Sequence, residues 1–589
     1  MKQARILPQI RQRKPCKLHG NFDHSVSPLL QRIYLNRGIT QQAELNKELS
    51  QLPAPELFKH MDKAVALLVH ALTQQQPITI IGDFDADGAT STALAVHALR
   101  AMGAQVNFLV PNRFEYGYGL TPEIVEEAIR LQQPQLIITV DNGISSHAGV
   151  ALARERGVRV LITDHHLPGK TLPDADAMVN PNQPGCEFPG KHIAGVGVIF
   201  YVMSALRKQL RAEAYFAQYN IAEPNLADYL DLVALGTVAD VVSLDRINRT
   251  LVHQGLLRLR AGRTRPGIVA LTDVAKRSLS RITSADLGFA LAPRLNAAGR
   301  MDDMSTGIQC LINPHINQAR YLAAELDNLN RNRKSVEQSM QQEALQLVEQ
   351  LHLEESGLPW GLCVFDENWH QGVVGLLASR LKDRYHRPVI AFAPVDEHIV
   401  KGSARSIEGL HIRDALEAIA TRQPHLIDKF GGHAMAAGLN VPRHHLGAFM
   451  SAFDLQVRAL LDETSLQATL QTDGTLDAHD FSLPVAKQLR DSEPWGQHFP
   501  APLFEGEFRI LYKRIVGEQH LRLVLSPVGA NGDPSLQTKI DAMMFFVNNE
   551  LKEQIREDNC VHTAYRLDVN EYRGEESLQM TIEHLEITA

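Results

Sequence analysis

Asp83, Asp85 and Asp87 alternate in IGDFDADG (81–88), directly after an apolar run. Like charges this close repel, and crowded carboxylates do not all ionise unless something positive sits among them. Further on stand Asp141 in VDNG, Asp164, His165 and His166 in TDHH, and Asp240 in GTVAD. Carboxylate oxygens with one or two imidazoles suit Mn2+ or Mg2+ and disfavour soft-metal chemistry. There are donors enough for two ions, and an ion pair can clamp the attacking water and the leaving oxygen of a phosphoryl transfer. Any one of these aspartates is equally explained as an N-cap or turn residue. Four such sites at corresponding places make that explanation the weaker one.

Such residues need a scaffold. PITIIGD (77–83), QVNFLVPN (105–112), QLIITVDNG (135–143) and VRVLITDHH (158–166) read as strands, and 89–103, 121–132 and 147–157 as helices. Continuous apolar strands alternating with helices predict an α/β fold with a parallel sheet covered on both faces. The polar clusters fall where strands stop, the edge at which open α/β sheets bind ligands. A helix-rich stretch follows, and apolar residues at 322, 326, 329, 336, 340, 344, 347 and 351 predict a long exposed connecting helix over 316–352. A second α/β unit starts near 361. Residues 465–589 read as all-β, with five strands that suit a small OB-like barrel. The expected division is an N-terminal arm and helical lead-in over 1–50, a catalytic domain over 51–315, the connecting helix over 316–355, a second α/β domain over 356–460, and the OB-like domain over 461–589.

The chain has 589 residues, 44% of them hydrophobic and 21% charged, as in ordinary soluble globular proteins. Its net charge of −8 excludes a generally basic nucleic-acid coat, so a nucleic-acid partner requires a local basic track. Lys513, Arg514, Arg522 and Lys539 in the C-terminal region are candidates for it. Five cysteines without a CxxC pair fit a reducing cytoplasm. No apolar run reaches the ~18 residues of a membrane span. The basic N-terminus has no apolar h-region and is expected to be a loosely ordered arm.

Taken together, DFDADG, VDNG, TDHH and GTVAD in this order resemble the motifs of the DHH phosphoesterase family. HQGVVGLLASRL (370–381), KGSARSI (401–407) and FGGHAMAAG (430–438) resemble the DHH-associated domain. With the long helix and the OB-like end, nearly the whole chain is similar to the family's single-stranded-DNA exonucleases. The resemblance implies Asp85, Asp87, Asp141, His165 and Asp240 as ligands of one or two Mn2+ or Mg2+ ions, with Asp87 and Asp141 serving more than one ion. It implies His166 as the histidine facing the scissile phosphate. Asp164 is expected to orient an imidazole, and Asp83 is either a ligand or a loop-former. Where related small-molecule phosphoesterases carry a histidine this chain has Ile81, which predicts a weaker first metal site. Arg113, Arg294, Asn296, Arg300, Ser403, Arg405 and His433 are expected beside the substrate, where arginine and serine suit phosphate oxygens. Trp495 is either a base-stacking or a core tryptophan.

The expected activity is 5′→3′ hydrolysis of single-stranded DNA to 5′-mononucleotides, in recombination and repair, by a cytoplasmic monomer. A helicase and a single-strand binding protein are partners implied by the resemblance. The rivals are a phosphodiesterase of oligoribonucleotides or cyclic dinucleotides, and an inactive DNA-binding scaffold.

Overall fold

The runs Ile78–Gly82 and Leu136–Val140 are rich in β-branched residues and buried at every position, so they are stable only as interior strands. In the computed structural model of the chain they lie side by side in a five-stranded sheet. Its order is Val106–Leu109, Ile78–Gly82, Leu136–Val140, Arg159–Thr163, Ala177–Val179, and all neighbours are parallel. The structure describes residues 8–14, 20–111, 119–352, 358–517, 519–528, 539–547, 549–572 and 574–588.

From Ile78–Gly82 the chain crosses to the edge strand Val106–Leu109, then returns to lay Leu136–Val140 on the other side. Connections leave these two strands in opposite directions. The crevice outside their carboxyl ends is therefore a topological switch point. Asp83 follows one strand and Asp141 the other. The helix Ala86–Ala101 begins three residues earlier than the sequence pattern indicated, because the Asp85 carboxylate accepts the backbone N–H groups of Asp87 and Gly88 at 2.9 and 3.0 Å. That cap draws Asp87 into the first helical turn.

The chain forms two units. One comprises Pro15–Asn330 with Lys487–Ala501, and the other Met1–Lys14, Arg331–Ala486 and Pro502–Ala589. This differs from the linear division expected above. The range 461–589 is interrupted, because the Ser284 hydroxyl donates to the Trp495 carbonyl at 2.7 Å and the Leu244 N–H to the Gln497 carbonyl at 2.9 Å. Trp495 stacks on Phe499 at 5.3 Å, carries the Arg37 guanidinium over its ring, and donates from Nε1 to the Leu489 carbonyl. It is a packing tryptophan of the first unit. The arm is also tied down: Gln9–Gln12 is a strand parallel to Thr469–Thr472.

In the second unit a mixed sheet runs Lys429–Gly432, Ala436–Pro442, Ile399–Arg405, Val389–Pro394, Leu362–Phe365, over a core that includes Phe392, Phe449 and Phe453. The strands Phe504–Val516, His520–Pro527, Ile540–Met544, Glu575–Ile587 and Cys560–Tyr572 close into a ring in that order. The region 465–589 is not all-β, since it also holds the helices Leu483–Ser492 and Asn549–Gln554. The long helix Ile316–His352 is present. Its buried stripe of Leu322, Leu326, Met340 and Ala344 is broken by an inward pair, Arg333 and Glu337, which the apolar spacing did not reveal.

Candidate active site

Asp141 sits just past its strand with φ of 63°, an uncommon conformation for a residue other than glycine. Asn142 holds that turn by donating from Nδ2 to the carbonyls of Ile81 (3.1 Å) and Val140 (2.9 Å), which ties the two strand ends together. His165 Nε2 then lies 3.1 Å from Asp141 Oδ1 and 3.4 Å from Asp240 Oδ2. Candidate donor atoms of Asp87, His165 and Asp240 lie within 4.8 Å of one another, as do those of Asp83, Asp85 and Asp141, and those of Asp141, His165 and His166. Asp240 is not at a strand end, as its motif suggested, but at the C-cap of the helix Leu230–Ala239. Long-range packing of that helix, not its sequence neighbours, delivers it.

Asp87 is fully buried and accepts the N–H groups of Gly195 (2.6 Å) and Val196 (3.0 Å), which open the helix Gly195–Ala212. The first turns of two helices thus surround one carboxylate, and both helix dipoles favour its charge. Asp164 accepts from the Ile144 N–H at 2.9 Å, from the His165 N–H at 2.7 Å, and pairs with His166 Nδ1 at 2.7 Å. It does orient an imidazole, but that of His166 rather than that of the candidate ligand His165.

Burial raises the pKa of Asp83 to about 8 and of Asp87 to about 7, and the Asp85 charge adds to both. Burial and then the Asp87 charge lift Asp141 and Asp240 well above the carboxylate range. His166 moves the other way. Burial opposes its charge, but the Asp164 hydrogen bond and nearby carboxylates outweigh burial and raise it to about 9. Burial also opposes ionisation of Asp164, and the His166 bond prevails and lowers its pKa. The buried Asp240 Oδ2 has no hydrogen-bond partner. An oxygen-rich pit with an orphaned lone pair and carboxylates that resist ionising is what a divalent oxophilic cation relieves, so the residues present fit Mn2+ or Mg2+.

Sequence reasoning missed the residues that make room. A Cβ on Gly195 would lie 2.7 Å from Asp141 Oδ1, and one on Gly236 would lie 2.8 Å from Asp87 Oδ1. AGVG before an apolar helix and the glycine of GTVAD were the available signals. Ile81, where a histidine was looked for, is fully buried in the apolar cluster with Ile137 and Ile162.

The other candidates divide. Asn296 braces the DFDADG turn: its Oδ1 accepts the Ala86 N–H at 2.8 Å. A Cβ on Gly299 would fall 1.7 Å from the Phe84 carbonyl, so the helix Ala292–Met301 presses on the DFDADG loop. Arg294 is engaged by Asp327 at 2.9 Å and by the Ala290 carbonyl at 2.5 Å, which makes it a structural tie, not a cation available to phosphate. Arg300 closes the same helix. Arg113 lies outside the described residues.

In the second unit, Ser403 and Arg405 end the strand Ile399–Arg405. Arg405 Nη1 donates to Ser403 Oγ at 3.1 Å and to the Ala404 carbonyl at 2.8 Å. A Cβ on Gly375 would lie 2.9 Å from Arg405 Nη2, so the start of the Val374–Tyr385 helix closes over the pair. Burial lowers the guanidinium pKa, and among the described residues no carboxylate opposes it. His433 is exposed in the tight connection of the Lys429–Gly432 hairpin, where Gly432 has φ of 144°. Of the supposed basic track, Lys513 is spent on the Lys552 and Ile555 carbonyls and Arg522 pairs with Asp541 at 3.0 Å, while Arg514 and Lys539 are exposed.

Comparison with known proteins places the chain in a family. Residues 77–237 match the DHH family, N-terminal domain, residues 359–459 the DHHA1 domain, and residues 472–584 the RecJ OB domain. The chain is 51% identical over 588 residues to the single-stranded-DNA-specific exonuclease RecJ of Salmonella typhimurium, covering 99% of this chain and 100% of that one. The crystal structure of RecJ in complex with Mn2+ from Thermus thermophilus superposes with a TM-score of 0.80 at 28% identity, over 100% of this chain and 80% of that one. The Mg2+ complex from the same organism gives a TM-score of 0.74 at 25% identity, over 100% and 79%. From the donor cluster, the domain matches and these relatives together, it follows that the chain belongs to the RecJ family.

Proposed function

We propose that this chain is a metal-dependent exonuclease of single-stranded DNA that works from the 5′ end, releases 5′-mononucleotides, and serves recombination and repair in the cytoplasm. The observation that carries the reading is the pit of carboxylates and His165 at the switch point, with His166 held beside it by Asp164. Asp85, Asp87, Asp141, His165 and Asp240 would hold the cation or cations, and Asp83 contributes where Ile81 leaves no imidazole. When bound, such ions activate water and offset charge on a phosphodiester. His166, fixed by Asp164, donates a hydrogen bond to a non-bridging phosphate oxygen and stabilises charge that grows there. The Asp87 carboxylate stays aligned because successive N–H groups at the start of the Gly195–Ala212 helix hold both its oxygens.

Ser403 and Arg405 form an anion site for the terminal 5′-phosphate, where a buried, uncompensated guanidinium is worth most. The ring of strands grips the chain upstream through Arg514 and Lys539. We place a helicase and a single-strand binding protein as partners, and a monomer as the working form. Among the described residues no helix is long and apolar enough to cross a membrane. The test is a 5′-labelled strand incubated with Mn2+ or Mg2+, single-stranded and as a blunt duplex. Labelled mononucleotide released first, from the single strand only, is expected. Internal cuts, release from the 3′ end or equal attack on duplex overturns the reading.

A further inference from the structure

Three exposed apolar side chains stand next to donor residues in the chain, or on a turn packed against the helix that ends at one, within one unit of the fold. Leu167 directly follows His166, and Val241 directly follows Asp240. Phe289 adjoins Gly288, whose Cβ position lies 3.1 Å from Val238 Cγ1, two residues before Asp240. The three are 59%, 62% and 86% exposed. One exposed apolar residue needs no explanation; three on separate elements that lead to a charged pit do.

Two of them are also held unusually. Val241 has φ of 60°, which a β-branched residue rarely adopts and which clusters at functional sites. Phe289 lies in a π-helical turn, Leu287–Leu291, another feature common at such sites. Leu287, Ala290 and Leu291 of that turn are buried while Phe289 is left outside the core. Nothing in the metal chemistry needs an apolar rim, since that chemistry sees only phosphate and water.

We propose that this rim contacts nucleobases of the substrate strand, with Phe289 stacking on a base near the scissile phosphate. The inference rests on the reading of the chain as a nuclease and names what that site recognises besides phosphate. Every base has a π face, so the contact is indifferent to sequence. A paired and stacked base cannot offer that face, so the rim selects single strands at the reaction centre itself.

The test compares wild type, Phe289→Ala and Phe289→Tyr on single strands that carry one abasic residue at each of the first several positions. Phe289→Ala is expected to raise KM roughly tenfold, within the range of about 5- to 150-fold that a lost base–aromatic stack implies. The loss falls on KM rather than kcat, and Phe289→Tyr restores most of it. At one position the abasic residue costs wild type as much as the substitution does, and costs Phe289→Ala nothing further. Equal abasic penalties in both proteins at every position overturn the proposal, as does an unchanged KM. A lower melting temperature with unchanged abasic penalties overturns it too, by making Phe289 structural. If wild type releases no nucleotide, the nuclease reading has failed. The same abasic comparison by equilibrium binding in chelator then still decides the stacking.

Discussion

Asp83→Asn tests whether the acidic pit is held against its own repulsion. Asp83 is buried and its pKa is pushed up from 3.8 to about 8, by desolvation first and the Asp85 charge second. A group whose pKa is raised by folding stabilises fully below its unfolded value and loses that contribution as pH rises through the folded one. Chelated wild type should therefore weaken progressively from about pH 4 to pH 8. At about 1.4 kcal/mol per tenfold, the interval from 3.8 to about 8 corresponds to roughly 6 kcal/mol at most, of which about 3–4 kcal/mol falls between pH 5 and pH 8. Asparagine keeps the oxygen that accepts the Phe84 N–H at 2.7 Å and removes the charge. Urea unfolding in chelator at the two pH values is the assay. Asp83→Asn should be the more stable protein at pH 8 and show a shallower decline, the residual slope belonging to Asp87, Asp141 and Asp240, which shift the same way. Adding Mn2+ at pH 8 should stabilise wild type, and the variant less if the Asp83 oxygen binds the ion. Parallel pH profiles for the two proteins in chelator would refute the electrostatic argument.

Three further substitutions separate the roles. His166→Gln should lower kcat by on the order of 10²–10³ while leaving Mn2+ affinity within a few fold, because its proton stabilises developing charge and its Nδ1 is committed to Asp164; a large loss of metal affinity instead would make it a ligand. Arg405→Ala should reduce a preference for 5′-phosphorylated over 5′-hydroxyl strands, measured as a ratio of kcat/KM, whereas equal losses on both would leave it only a folding role. Gly195→Ala should fold, since it starts a helix, yet bind Mn2+ at least tenfold more weakly because its methyl displaces Asp141 by the order of an ångström; calorimetry with wild-type affinity would show that the pit can yield.

Much of the site was legible because its chemistry is local. Alternating aspartates after an apolar strand and paired histidines after another declare their types and spacing, and β-branched runs declare a parallel sheet whose carboxyl edge collects them. The second reading of Asp85, as a cap, holds: Oδ1 caps a helix, and that role does not compete with the proposed one as a metal ligand.

What the sequence by itself determined is the donor set, the α/β alternation, the long helix and the five C-terminal strands, since each follows from periodicity or residue type within a short window. Only the tertiary structure decided which residues meet. Asp240 reaches His165 across 75 positions of chain from a helix end, and Gly195 gives Asp87 its hydrogen bond from 108 positions away. Arg294 and Lys513 looked available for phosphate until Asp327 and two carbonyls claimed them. Asn296, expected beside the substrate, also braces the DFDADG turn through its Oδ1. Such contacts depend on burial and close packing between segments far apart in the chain, and hydrophobic periodicity says which face turns inward, not what it will find there.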